Sequence, residues 1–364
     1  MKGVLLAGGR ATRLRPITHT MTKHLIPLAN KPILFYGLEA LTQAGIRDIG
    51  VVVGCQHPDF PGSIDTRRDI AQAVGDGSRW GARATYIEQD APRGIAHAVL
   101  TARDFVAGDS FVTFLGDNFL PGGILDFVKE FEAQRPDAMI LLCRVPNPQD
   151  FGVATLEGER VVRLEEKPKE PQSNLALVGV YLFNQTVFPA IERLKPSARG
   201  ELEITHAIQA LIDDGLRVQA HEVRGWWKDT GTLADLLEAN RLVLEGLEAR
   251  HEGEVDAASQ ILGRVVLEEG SKVENSVVQG PAIIGKKSRI INAIVGPYIS
   301  IHDNVVIERS EVANSIILAG SVLRGVPQKV RDSLIGQQVV VERDVRDPGF
   351  TQLMLGDYSR VTLR

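Results

Sequence analysis

The first residues equipped for chemistry stand close to the N-terminus. A short apolar run, Gly3–Ala7, leads straight into Gly8-Gly9, and Thr12, Arg13, Arg15 and Lys23 follow. Paired glycines allow a sharp turn and a close backbone approach to a ligand. Backbone N–H groups in such a loop form an anion-binding concavity, and Arg13 and Lys23 add formal charge where a polyphosphate would lie. Taken alone, Gly8-Gly9 reads as an ordinary turn. The string matches neither G-x-G-x-x-G nor G-x-x-x-x-G-K-[ST].

Two carboxylates are candidates for a metal. Asp117 ends the run Phe111-Val-Thr-Phe-Leu-Gly-Asp117-Asn118, and Asp229 sits in Trp226-Trp-Lys-Asp229-Thr-Gly. In α/β sheets ligands gather at the carboxyl ends of strands. Mg²⁺ needs only one or two protein carboxylates when phosphates and water complete its shell. The two aspartates are far apart in the chain, and each alone reads as a turn or cap residue. Asp229-Thr-Gly is also the aspartic-protease tripeptide, but that chemistry needs a partnered second copy and none is present.

Further polar positions are Gln89 and Gly94 in Glu88-Gln-Asp-Ala-Pro-Arg-Gly94, and Phe151-Gly152. Beyond them lie Leu164-Glu-Glu166-Lys167-Pro168, and Glu201 in Arg199-Gly-Glu-Leu-Glu. Bare sequence makes Gln89 a strand-end polar residue, Gly94 a turn before a helix and the Glu165–Glu170 stretch a solvated loop. Glu201 reads as a carboxylate at a helix N-terminus.

These residues need a scaffold, and the chain supplies two textures. Up to about residue 245, apolar runs (Gly3–Ala7, Ile49–Val53, Ala84–Ile87, Phe111–Leu115, Met139–Leu142) alternate with helical patterns at Ile33–Ala44 and Ile95–Phe105. Strand patterns follow at Gly152–Leu156, Val161–Glu165 and Leu177–Phe183, then helical ones at Glu203–Ile212 and Thr232–Leu247. This predicts one α/β domain over 1–245 with a mixed, mainly parallel sheet. Over 258–345 apolar residues recur six apart, as in Leu267 and Val273, Ile284 and Ile290, and Val295, Ile301 and Ile307. With Gly and Asn at the corners, that period predicts a left-handed parallel β-helix. Gly280–Lys287, nearly a P-loop, is then a β-helix corner. Residues 346–364 form an unassigned tail.

Composition narrows the class. The 364 residues are 44% hydrophobic and 24% charged, with a net charge of −5. That suits a globular protein and lacks the basic excess of a nucleic-acid binder. No run approaches the ~20 apolar residues of a membrane span, and no secretory signal is evident, so a cytoplasmic location with no membrane partner is expected. Cys55 and Cys143 border apolar runs and are expected as buried thiols.

The string from Leu6 to Pro27 resembles the signature of the sugar nucleotidyltransferases, L-A-G-G-x-G-T-R-L-x-P-x-T-x-x-x-x-K-x-L-x-P. It is most similar to long-form glucose-1-phosphate thymidylyltransferases, which carry a C-terminal β-helix. The resemblance implies a Rossmann-like, glycosyltransferase-A-like catalytic domain. It also implies Mg²⁺ on Asp117 and Asp229, and transfer of a nucleotidyl group from dTTP to glucose 1-phosphate. By the same match Gly8, Gly9, Ala11, Thr12 and Asp117 border the nucleotide, and Gln89 and Gly94 meet its base. Gly152, Glu166, Lys167 and Glu201 hold the sugar phosphate, and Arg13, Lys23 and Lys167 are catalytic. One departure stands at Ala11, where the family has glycine and alanine opposes positive φ. His24 stands where related short forms often have glutamine. Alternatives are a UTP-dependent enzyme acting on glucose 1-phosphate or N-acetylglucosamine 1-phosphate, and a non-catalytic nucleotide-binding subunit. The flat β-helix faces imply a homo-oligomer.

Overall fold

The computed structural model describes residues 1–9, 12–59, 65–223, 225–343, 354 and 356–362. The chain packs as two compact units. One comprises Met1–Thr12, Met21–Leu25 and Ile33–Asp229, the other Arg13–Thr20, Ile26–Pro32 and Thr230–Arg364. The basic N-terminal string is therefore shared: Lys23 packs with the first unit, Arg13 and Arg15 with the second.

The first unit is a mixed sheet between helices. Its elements are β1 (Lys2–Ala7), α1 (Ile33–Gln43), β2 (Asp48–Gly54), α2 (Arg67–Val74), β3 (Arg83–Gln89), α3 (Ile95–Thr101), β4 (Phe111–Leu115), β5 (Asn118–Phe119) and α4 (Leu125–Gln134). They continue with β6 (Ala138–Arg144), β7 (Gly152–Glu157), β8 (Arg160–Glu166), β9 (Leu175–Phe183), α5 (Ile204–Asp213), β10 (Val218–Glu222) and β11 (Lys228–Asp229). The sheet order is β8-β7-β9-β4-β1-β2-β3, with β6 pairing β9 and β10. Strands β4, β1, β2 and β3 are parallel to one another, while β9 runs antiparallel to β4 and β6.

Strand β1 is an unbroken apolar run because it is covered on both faces. Leu5 joins one core cluster with Val51, Phe114 and Leu182, and Leu6 joins the other with Val52, Ile140 and Leu142. The helical pattern over Ile95–Phe105 is divided: α3 ends at Thr101, and a short helix Arg103–Val106 follows. At Ala102 the N–H bonds back to the Val99 carbonyl, an i→i−3 closure that tightens the turn and ends α3. Cys143 is buried in β6, whereas Cys55, just past β2, is half-buried and not in a strand. Among the described residues no helix is long and apolar enough to cross a membrane.

In the second unit, three all-parallel sheets of six, six and five strands stack short strands coil upon coil. Val266, Ile283, Ser300, Ile316 and Leu334 are successive partners on one side. The arrangement is consistent with the left-handed β-helix that the six-residue period predicts. Its interior is lined by Leu267, Val273, Ile284, Ile290, Val295, Ile301 and Ile307. Corners take positive φ at Asn275, Asn292, Asn304 and Asn314, a conformation that asparagine tolerates better than most residues. Lys287, in the near-P-loop string, is another such corner. Buried serines satisfy the corner backbone: Ser288 Oγ donates to the His302 carbonyl at 2.7 Å and accepts from Val305 N–H at 3.0 Å.

Helix α6 (Leu233–Glu245) packs on these coils. It starts with a capping box between Thr232 and Asp235. Buried Asn240 on α6 accepts from Ala29 N–H at 2.8 Å and from Ser300 Oγ at 2.7 Å, tying an N-terminal hairpin to a β-helix coil. Neighbouring Asn30 donates to the Ile301 carbonyl at 2.7 Å.

Each coil buries its face only against its neighbours, so a cavity in one coil should weaken the stack. Ile290→Ala, at a fully buried position, should destabilise the repeat unit by about 2–5 kcal/mol, measured as a shift in chemical denaturation. A loss under about 0.5 kcal/mol would mean that the interior at this coil is not close-packed.

Candidate active site

In the first unit the ends of the parallel strands surround a cavity of about 360 Å³, within the usual range for small-molecule sites. Gly8, Gly9, Thr12, His24, Gln89, Gly94, Asp117 and Glu201 line it, together with apolar Leu6, Val52, Ile95 and Leu115. Most of the residues expected to meet a nucleotide therefore come together in one place. Ala11 lies outside the described residues. Arg13 is exposed in the turn Thr12–Leu14 and packs with the second unit.

Gly9 has φ +126°, as a turn after β1 requires. A Cβ on Gly8 would sit 3.3 Å from Gln89 Oε1, so the loop closes over the end of β3. Gln89 is buried, and its Nε2 lies 3.3 Å from the Gly94 carbonyl, to which it donates, and 3.1 Å from His97 Nδ1. Gly94 has φ +107°, and a Cβ there would stand 2.5 Å from the Leu202 carbonyl, so only glycine fits.

The two candidate metal carboxylates meet, although they come from distant parts of the chain. Strands β5 and β11 form a two-stranded antiparallel ribbon in which Asp229 pairs with Asn118, the neighbour of Asp117. Lys23 Nζ lies 2.5 Å from Asp117 Oδ2 and 3.8 Å from Asp229 Oδ1. Burial opposes ionisation of Asp117. The Lys23 ammonium, with His24 and a hydrogen bond from Asn118 Nδ2 at 2.9 Å, nevertheless holds its carboxyl well below the usual range. Two carboxylates converging on one cationic atom are a hard-oxygen donor set, and they fit a divalent cation that takes its remaining ligands from phosphate and water. Among the described residues no group of three or more His, Cys, Asp or Glu side chains gathers for a metal. Beside them His24 is fully buried, and burial pushes its imidazole down to about 4, so it is neutral at physiological pH.

A second cluster holds the residues expected at the sugar phosphate. Gly152 on β7 pairs with Glu166 on β8. A Cβ on Gly152 would meet Thr205 Cγ2 at 2.5 Å, so a side chain there would force the Thr205 side chain on α5 to shift. Lys167 follows with φ +46°, its N–H donating to the Phe151 carbonyl at 2.9 Å.

Sequence reasoning missed the centre of this cluster. The Arg199 guanidinium donates to Glu166 Oε1 at 3.1 Å and to Glu203 Oε2 at 2.8 Å, and reaches Glu201 Oε2 at 3.5 Å. Glu203 is 3% exposed and also accepts from Ser197 Oγ at 2.7 Å. Glu201, expected at the sugar, lines the cavity beside Gly94 and is joined to Glu166 through Arg199. The available signal was Arg199-Gly-Glu-Leu-Glu203 itself, a cation and two carboxylates ahead of a helix.

Burial, and then the charge of Glu203, push the Glu166 carboxyl up; Arg199, Lys167 and a hydrogen bond from Thr205 oppose them. Removing Arg199 takes away a cation that favours the carboxylate, so Glu166 should hold its proton to higher pH. If the ionised form binds substrate, Arg199→Met should move the acid limb of the kcat/KM profile for the sugar phosphate upward. An unmoved limb with a uniformly lower kcat/KM would show that Arg199 does not set the ionisation of Glu166.

The sequence profile described as nucleotidyl transferase matches residues 2–246. A glucose-1-phosphate thymidylyltransferase from Streptomyces griseus is 51% identical over all of this chain and 99% of its own length. The low-salt glycan biosynthesis nucleotidyltransferase Agl11 from Haloferax volcanii is 44% identical, each chain being covered in full. A solved Bacillus anthracis structure in complex with sucrose superposes with a TM-score of 0.62 at 39% identity, over 69% of this chain and 98% of that one. A UDP-glucose pyrophosphorylase bound to UDP-glucose shares the fold at 22% identity, with a TM-score of 0.58 over 68% of this chain and 99% of its own. With a glycine loop, a carboxylate pair at the strand ends and a profile match across the α/β region, the chain belongs to the nucleotidyl transferase family.

Proposed function

We propose that this chain transfers the thymidylyl group of dTTP to glucose 1-phosphate, releasing pyrophosphate in a Mg²⁺-dependent reaction. The observation that carries the reading is the meeting of Lys23, Asp117 and Asp229 at the cavity that Gly8, Gly9, Gln89 and Gly94 line. Relatives named for this activity that align along the whole chain support the choice of nucleotide and sugar.

The reaction is an in-line displacement at the α-phosphorus by an oxygen of the sugar phosphate. That phosphate is already ionised at neutral pH, so no general base is needed. What the protein must do is hold two mutually repelling anions together and offset charge as it moves to the leaving group. Lys167 holds the attacking phosphate, and Glu166 and the Gly152 backbone meet the sugar hydroxyls, with Arg199 orienting Glu166. Glu201 stands at the cavity wall, where the sugar and nucleotide clusters join. Gln89 and Gly94 meet the base. Arg13 and Lys23 offset charge on the departing pyrophosphate. Asp117 and Asp229 would hold Mg²⁺, which when bound would supply further positive charge to offset that of the phosphates. We further propose that the protein acts in the cytoplasm as a homo-oligomer built through the repeat unit, where apolar Leu262 and Ile294 are exposed on one sheet.

Pyrophosphate release with Mg²⁺ should be fastest with dTTP and glucose 1-phosphate. A preference for UTP or for N-acetylglucosamine 1-phosphate would change the substrate assignment, and no release with any pair would remove the catalytic reading. Arg13→Ala, at an exposed position, should fold normally and lose about 10²–10³-fold in kcat, the effect of deleting one preorganised charge. Near-normal turnover would refute its role.

A further inference from the structure

Within the first unit, the cavity residue Gln89 is joined to His97, a side chain the mechanism does not use. Gln89 ends β3, and His97 stands in the first turn of α3. The two meet because Gly94 turns the chain between them with φ +107°. Gln89 Nε2 lies 3.3 Å from the Gly94 carbonyl and 3.1 Å from His97 Nδ1. A carbonyl oxygen only accepts, so it fixes which end of the Gln89 amide faces it. His97 Nε2 lies 3.4 Å from Asp90 Oδ1, and an ionised carboxylate also only accepts. The ring proton of a neutral His97 therefore sits on Nε2, leaving Nδ1 to accept the second Gln89 N–H. Both amide hydrogens are thus taken by the wall. Oε1, 3.3 Å from where a Cβ on Gly8 would stand, is the atom that Gln89 turns toward this other cavity residue.

Resting on the nucleotidyl-transfer reading above, we propose that His97 is a positioning residue that sets the base preference of the cavity. By accepting from Gln89 Nε2, it holds the amide so that Oε1, an acceptor, meets the base. An acceptor pairs with a pyrimidine whose ring N3 carries hydrogen, as in thymine and uracil. Cytosine presents a lone pair at N3, and two facing acceptors leave each other unpaired. Protonation of His97 makes Nδ1 a donor as well, which removes the acceptor that holds the amide. Burial pushes the imidazole below its ordinary range; Asp90 opposes that shift and Arg93 adds to it, and these are the charged groups that act on the ring. His97 is therefore neutral at physiological pH, and the amide keeps its orientation there.

The test compares full-length wild type, His97→Phe and His97→Gln by the ratio of kcat/KM for dTTP to that for dCTP. The ratio cancels every step common to the two nucleotides. His97→Phe keeps a ring and removes the acceptor, and should lower the ratio about three- to tenfold, the scale of one hydrogen bond. His97→Gln supplies an acceptor again and should recover most of the preference. In wild type the ratio should fall as pH drops below about 6, while in His97→Phe it should stay flat. Calorimetric binding of dTDP and dCDP repeats the comparison without turnover. An equal fall in both kcat/KM values in His97→Phe, with the ratio unmoved, would mark a purely structural role and overturn the proposal. So would a wild-type preference for dCTP. Absence of turnover in wild type would count against the function reading alone, since the binding comparison would still decide the role of His97. Failure of wild type to bind either diphosphate would overturn both.

Discussion

Like charges must be crowded for this site to exist, and the fold is arranged to tolerate that. Asp117 and Asp229 both approach one ammonium group, Lys23 Nζ. The buried side chain that holds this geometry is Asn118. Its Oδ1 accepts from Gly179 N–H at 3.1 Å and from the Trp227 indole at 2.6 Å, while its Nδ2 donates to Asp117. One amide thus joins β9, the Trp227 segment and the end of β4. Space is equally constrained: a Cβ on Gly116 would stand 2.6 Å from Leu34 Cδ1 and 2.7 Å from the Leu6 carbonyl. The carboxylate pair is therefore carried by a rigid junction, as preorganised electrostatic stabilisation requires.

The cluster around Arg199 solves the same problem in a different way. Glu166, Glu201 and Glu203 would repel one another in a half-buried space, and Arg199 bridges all three. A buried charge left without its partner is costly, so Glu203 makes Arg199 a fixed part of the wall and not a mobile surface side chain. Glu166 is consequently held in one orientation beside Gly152, and its ionisation follows the balance among burial, Glu203 and Arg199.

Much of this was legible from residue patterns, and the gaps have physical causes. Continuous apolar runs marked β1, β2 and β4 because these strands are covered on both faces. The six-residue period marked the β-helix because every coil repeats one inward position per side. The β5–β11 ribbon has two residues per strand, too short for any periodicity, and it is the element that brings Asp229 to Asp117. Arg199 and Glu203 looked like a charged loop because a buried ion cluster and a solvated one have the same composition. The ends of the helical pattern at Ile95–Phe105 survived as two helices, since apolar spacing does not register an i→i−3 closure such as that at Ala102. The division of the basic string between two units was invisible, because only packing reveals which residues share a unit.

The central claim is that Asp117 and Asp229, so distant in the chain, form a single cation site. A double-mutant cycle on kcat with Asp117→Asn, Asp229→Asn and the double variant, each verified as folded, tests it most directly. The account predicts strong non-additivity, with the double variant losing no more than the worse single variant, because either change dismantles the same site. Losses that multiply independently would contradict it and would mean that the two carboxylates serve separate functions.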